Sequence, residues 1–161
     1  CPYWKAHVRD KHGCFYGTIC TLEAFAEVPA DMRSPSVSDA AARGAEFLLM
    51  HRLYKADHHR DRIINPAWLA LSFPWFYSYN ILRGLWVLAR LGVGDERMED
   101  ALAVLRGKQL ADGTWALENA PTGRMQADLE AKGQPSKWIT LMALWVLKEL
   151  GRPYLASDSD F

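Results

Sequence analysis

Gly84-Leu-Trp-Val-Leu-Ala-Arg-Leu-Gly92 and Ala143-Leu-Trp-Val-Leu-Lys-Glu-Leu-Gly151 are two copies of one phrase. Six of nine positions match at an offset of 59: Leu85/Leu144, Trp86/Trp145, Val87/Val146, Leu88/Leu147, Leu91/Leu150 and Gly92/Gly151. A fainter copy, Thr21-Leu-Glu-Ala-Phe-Ala-Glu-Val28, lies 63 residues before the first. Self-similarity at such a period is the mark of stacked supersecondary units. Both clear copies are apolar nearly all round, so each predicts a helix buried between layers. Around Gly84–Gly92 this helix runs from Trp75 to Leu91, opened by Pro74; Gly92 and Gly94 stop it. Around Ala143–Gly151 it is opened by Pro135-Ser136 and runs through Leu150.

The segments between the copies read differently. Ser34 caps a helix that starts at Pro35 and continues to about Tyr54, with Ala41, Ala45, Leu48, Leu49 and Leu53 on one stripe. Asp95 caps a fourth helix reaching about Gln109, with Met98, Ala101, Leu102 and Leu105 on its stripe. One-sided stripes mark outer helices. The first helix spans residues 16–28, with Ile19, Leu22 and Ala26 on one face widened by Ala24 and Phe25; Pro29 ends it. The order is inner, outer, inner, outer, inner. No alternating segment longer than a few residues occurs, so the chain is expected to be all-α, built from helical hairpins.

Composition narrows the function classes. The chain has 161 residues, half of them hydrophobic, with 19 basic and 19 acidic side chains. A zero net charge without basic runs gives no footprint for nucleic acid. No run of 18 apolar residues predicts a membrane span, and no signal peptide pattern opens the chain. Cys1, Cys14 and Cys20 are an odd set, which suits reduced thiols in a cytoplasmic protein better than a disulfide framework. Cys1, His7, His12 and Cys14 do not match zinc-ligand spacing; Tyr3 and Trp4 would anchor that segment on the domain. Asp57, His58, His59 and Asp61 lie in a charge-rich connection, residues 55–73, that reads as a solvated loop. Neither a metal nor a cofactor is expected.

Leu105-x-x-x-Gln109-x-x-x-Gly113-x-Trp115 resembles the second half of a QW repeat, the signature of the prenyltransferase and squalene-cyclase superfamily, whose members fold as α/α toroids. Arg43-Gly44-x-x-Phe47-Leu48 resembles the opening of an earlier repeat, but Arg52 stands where glutamine is expected and no G-x-W follows. Residues 14–151 also resemble bacterial proteins with prenyltransferase or squalene oxidase repeats, through Arg43-Gly-Ala-Glu-Phe-Leu-Leu-Met-His-Arg52 and Ser136-Lys-Trp-Ile-Thr140. The resemblance implies that Gln109, Gly113 and Trp115 brace outer helices, and that the substrate class is isoprenoid. It implies no catalytic residue here. The cyclase Asp-x-Asp-Asp motif is represented only by Asp158-Ser-Asp-Phe161, the prenyltransferase Asp-x-Cys zinc pair does not occur, and Gly13-Cys14-Phe15 is not a thioester motif.

A closed toroid of this type needs about six hairpins, and this chain supplies two and a half. It is therefore expected to be a single partial domain, about half a toroid. The chain begins without Met, so the missing half is expected in a longer chain of which this is the C-terminal part; closure by a second copy is the alternative. Tyr16, Trp75, Tyr77, Tyr79, Asn80 and Trp138 fall at or near inner-helix starts, where a toroid's cavity would open, and are the candidate ligand-binding residues. Aromatic faces there would suit a carbocation or an apolar ligand. Three readings follow: an isoprenoid-handling cyclase or transferase module, a non-catalytic module for a hydrophobic ligand, and a domain that binds another protein chain.

Overall fold

The computed structural model describes residues 13–59, 61–120 and 129–154. The segment with Cys1, Tyr3, Trp4, His7 and His12, and the tail with Asp158 and Asp160, lie outside them. The described residues form five α-helices: α1 (Phe15–Ala26), α2 (Pro35–Met50), α3 (Ile81–Arg90), α4 (Glu99–Arg106) and α5 (Lys137–Glu149). One two-stranded antiparallel ribbon joins them, β1 (Trp115–Ala116) with β2 (Pro135–Ser136), in the register Trp115 opposite Ser136. The chain is thus mostly helical, and the ribbon is its departure from the all-α expectation. Two-residue strands carry no periodicity; long-range pairing alone creates them.

Local chemistry fixes most helix ends. Ser34 Oγ accepts from the Val37 N–H, and Pro35 occupies the first turn, where its missing N–H costs nothing. Asp95 accepts from the Arg97 N–H at 2.8 Å, opening a short 3-10 turn, Glu96–Met98, that runs into α4. Ser136 accepts from the Ile139 N–H at 3.0 Å and also binds the Glu130 carboxylate, so it caps α5 while closing the ribbon.

Two ends differ from expectation. α2 stops at Met50 rather than near Tyr54, because Arg52 (φ 44°) and Leu53 (φ 69°) turn left-handed. The Leu53 N–H then reaches back to the Leu48 carbonyl, which satisfies an end that would otherwise be orphaned. α3 starts at Ile81, not Trp75. Asn80 caps it, accepting from the Arg83 N–H at 2.9 Å, and its amide donates to Ser72 Oγ. Residues 75–80 are extended or bent, with Phe76 left-handed at φ 44°.

The helices form two layers. α3 packs against α1 on one side and α5 on the other; α2 lies on α1 and α4 on α3. Cys20 and Glu23 of α1 meet Arg83, and Glu27 meets Arg90 one to two turns further on. Contacts that advance together along both chains mean that α1 and α3 run the same way. The C-terminal ends of α3 and α5 also line one cavity, so α5 is parallel as well. Glu27/Arg90 are repeat-equivalent at offset 63, Trp86/Trp145 at offset 59. The sequence repeat is therefore a lateral contact ladder across one layer.

The core is Phe15, Ile19 and Leu22 of α1, the expected stripes of α2 and α4, and both faces of α3. Ala24 faces solvent rather than widening the α1 stripe. Gly84 lets α3 approach its neighbours, since a Cβ there would lie 2.6 Å from the Tyr79 hydroxyl. α5 is one-sided, contrary to its near-uniform hydrophobicity: Ile139, Met142, Ala143, Val146 and Leu147 are buried while Trp138 and Leu141 are exposed. Among the described residues no helix is long and apolar enough to cross a membrane.

On the back of the fold, Asp100 of α4 receives Lys55 Nζ at 2.8 Å and Arg52 Nη1 at 3.1 Å. The Lys55 bond, then that of Arg52, holds its carboxyl below the usual aspartate value of 3.8. A depressed folded value means stability that is present at neutral pH and fades as pH falls through it. Acid titration of thermal stability should show a loss beginning below about pH 5, and Asp100→Asn should flatten that slope by up to about 1 kcal/mol, the range of part-exposed pairs. An unchanged slope would remove the pair from the acid response.

Candidate functional site: an aromatic rim over a parallel helix layer

The N-terminal ends of α1, α3 and α5 lie on one side of the layer, and the connection from Pro66 to Asn80 crosses them. Asn65 turns this segment by accepting from the Ala67 N–H, which sets the Trp68 indole into the core. Trp68 then meets Phe15 at 4.5 Å and Tyr79 at 4.9 Å between ring centroids, and donates to the Tyr16 hydroxyl at 3.4 Å.

The six candidate residues divide into two groups. Tyr79 and Asn80 turn inward. The Tyr79 hydroxyl donates to the Leu53 carbonyl at 2.8 Å, and burial pushes its phenol well above the ordinary value. Asn80 is consumed by the cap of α3. Tyr16, Trp75, Tyr77 and Trp138 lie at the surface or partly so. Tyr77, 49% exposed, stacks on Tyr16 with centroids 5.2 Å apart and planes 5° from parallel. Trp138, 42% exposed, stacks on Phe73 at 5.1 Å and 17°. Phe76, next to Tyr77 in the chain, adds a third exposed ring. Tyr77 and Trp138 are thus each held by a second ring that costs little entropy to fix, which stiffens the apolar rim.

Beneath the rim lies a charge that sequence reading treats only as an interruption of the α3 stripe. Arg83 is 3% exposed. Its guanidinium pairs with Glu23, donates to the Ser78 carbonyl at 2.7 Å and to Cys20 Sγ at 3.6 Å, and lies 5.8 Å from the Trp75 ring. Arg83 Nε and Trp75 Nε1 are buried donors with no partner among the described residues. The repeat carries the signal for the pair, since Glu23 stands 63 residues before Trp86, one turn from Arg83.

Gln109, Gly113 and Trp115 are elsewhere, behind α5. The Gln109 amide donates to the carbonyls of Gly113 (3.0 Å) and Tyr154 (2.8 Å); Gly113 takes φ 82°, which glycine alone adopts freely. Trp115 is fully buried. Its indole donates to the Leu105 carbonyl at 2.6 Å and its backbone N–H to Thr140 Oγ1 at 3.0 Å. These three residues tie α4, the ribbon and α5 together.

In the loop at Asp57, His58, His59 and Asp61, Asp57 is half-buried and the other three are exposed. His58 has an 81% exposed side chain, and its N–H caps Asp57 Oδ1. Among the described residues no group of His, Cys, Asp and Glu is set to hold a metal ion. Comparison with family models, with curated proteins and with solved structures found no match to the chain.

Proposed function

We propose that this chain is a partial α/α toroid of the prenyltransferase and squalene-cyclase type that holds a neutral isoprenoid or similar apolar ligand against its aromatic rim. The toroid reading is supported by the parallel layer of α1, α3 and α5, with α2 and α4 packed behind it and repeat-equivalent residues touching across it. The single observation that carries the ligand reading is the set of exposed rings, Tyr77, Phe76 and Trp138, two of them braced by stacking. Arg83 is already engaged by Glu23 and Ser78, so this guanidinium is not offered to a diphosphate. That favours a neutral hydrocarbon or alcohol over a prenyl diphosphate.

Titration with farnesol and with farnesyl diphosphate tests this. Farnesol should bind saturably and no more weakly than the diphosphate, and Trp138→Ala and Tyr77→Ala should each weaken it by about tenfold, the loss of one well-buried aromatic contact. Absence of saturable binding, or affinity undiminished in both variants, would overturn the reading. A second reading, docking of another protein chain, is favoured by Leu141, which extends the apolar strip of Trp138 along α5. Light scattering that shows a strict monomer would count against a second copy as that partner.

A further inference from the structure

The opposite end of the same helix layer carries a different chemistry. A cavity of about 390 Å³ lies where the C-terminal ends of α1, α3 and α5 converge, lined by Glu27, Arg33, Arg90, Trp145 and Glu149 among others. Parallel helices bring their carbonyl ends together here, so three partial negative charges face one space. The protein meets each of them with a cation of its own. Arg33 Nε donates to the Val28 carbonyl just past α1 at 2.9 Å, and Arg90 stands in the last turn of α3. Arg90 is in turn paired with Glu27 at 2.6 Å, and this bond holds the Glu27 carboxyl below its usual range.

α5 carries Lys148 in its last turn and ends on Glu149. Glu149 has no ion-pair or hydrogen-bond partner among the described residues and is exposed at the cavity. One turn earlier on the same face, Trp145 lines the same wall. Its ring is held by Trp86, 4.4 Å away between centroids at 49°. A fixed indole beside an unpaired carboxylate is the combination that recognises an organic ammonium ion: the ring face attracts the cation and the carboxylate balances its charge.

We infer that Trp145 and Glu149, at the C-terminal end of the helix layer, form a binding site for an alkylammonium group, separate from the aromatic rim. Trp86 positions the Trp145 ring, and Arg33 and Arg90 are occupied by Val28 and Glu27. The site is independent of the rim ligand and of the toroid assignment.

Choline and its uncharged isostere 3,3-dimethyl-1-butanol are the probes, titrated into the isotopically labelled protein at constant ionic strength. The indole N–H resonance of Trp145, assigned by its loss in Trp145→Leu, is the readout. Choline should shift it saturably with a dissociation constant near the millimolar range, the scale of one small-ligand contact set, and the isostere should bind at least tenfold more weakly. Glu149→Gln changes an exposed side chain, should leave the Tm unchanged, and should weaken choline by about tenfold. Equal binding of choline and isostere, undiminished affinity in Glu149→Gln, or no saturable shift would each overturn the proposal. Trp145→Leu offers a second check by calorimetry, where retained choline binding in a folded variant would also overturn it.

Discussion

Trp115→Ala should be the most damaging substitution in the rim-distal half of the molecule, costing about 4 kcal/mol. The indole is fully buried and fills the space between α4, β1 and α5. Its removal creates a cavity that the ribbon, pinned at Ser136 and Thr140, is poorly placed to collapse into. It also removes the donor that the Leu105 carbonyl meets at 2.6 Å, leaving it the longer bond from the Lys108 N–H at 3.2 Å. For a chain of this length the loss lowers Tm by about 12 °C. Trp115→Phe separates the two contributions, since it keeps most of the apolar area and loses only the donor; about 1–2 kcal/mol is expected. A Trp115→Ala protein melting within 2 °C of the parent, to about the precision such shifts allow, would mean that the brace carries no stability.

Glu23→Ala should cost about 2 kcal/mol. Removing one partner of a buried ion pair typically costs about 3–5 kcal/mol, because the other charge stays behind unpaired. Here the figure is discounted, since the Glu23 side chain is 30% exposed and water reaches one end of the pair. Arg83 keeps its bond to the Ser78 carbonyl, but its charge loses its counterion in the middle of the helix layer. The cost should persist at high salt, because ions cannot screen a guanidinium that is almost wholly enclosed. Arg83→Met in the Glu23→Ala background should recover part of the loss, as an apolar side chain replaces the stranded charge. A single-variant cost below about 0.5 kcal/mol, the level of an ordinary surface change, would show that the pair is only a surface contact.

What the sequence reveals and what it hides follow from the range of the forces involved. Ser34, Asp95 and Ser136 act within three residues of themselves, so the starts they cap are legible. The stripes of α2 and α4 are equally legible, because burial on one side leaves a periodic trace. The start of α3 is not. Trp75 to Tyr79 are aromatic and follow a proline, so they read as helix, yet their rings are claimed by partners far along the chain: Tyr79 by Leu53, Tyr77 by Tyr16. Arg52 and Leu53 turn left-handed without a glycine to announce it; tertiary packing of Leu53 against Gly84 sets that turn.

The candidate site divides in the same way. Residue type and position suffice to pick out Tyr77 and Trp138. Nothing local separates them from Tyr79, whose hydroxyl is spent inside. Arg83, Glu23 and Glu149 look like ordinary polar interruptions of helical stripes. Their roles emerge only when the repeat is laid side by side in space, with offsets of 59 and 63 read as lateral neighbours. The hydrophobic stripes suggest the order of helices but not this ladder.

The Trp86–Trp145 pair has an optical consequence. Two indoles with centroids 4.4 Å apart and planes 49° from parallel share their electronic excitations. Such coupling produces a paired positive and negative circular dichroism band, superimposed on the helical spectrum. Helix content read from that spectrum without correction will therefore be wrong for this protein. The same couplet appears only when the copies of the repeat at Gly84 and Ala143 are docked in register, so it reports the assembly of the layer without an added label.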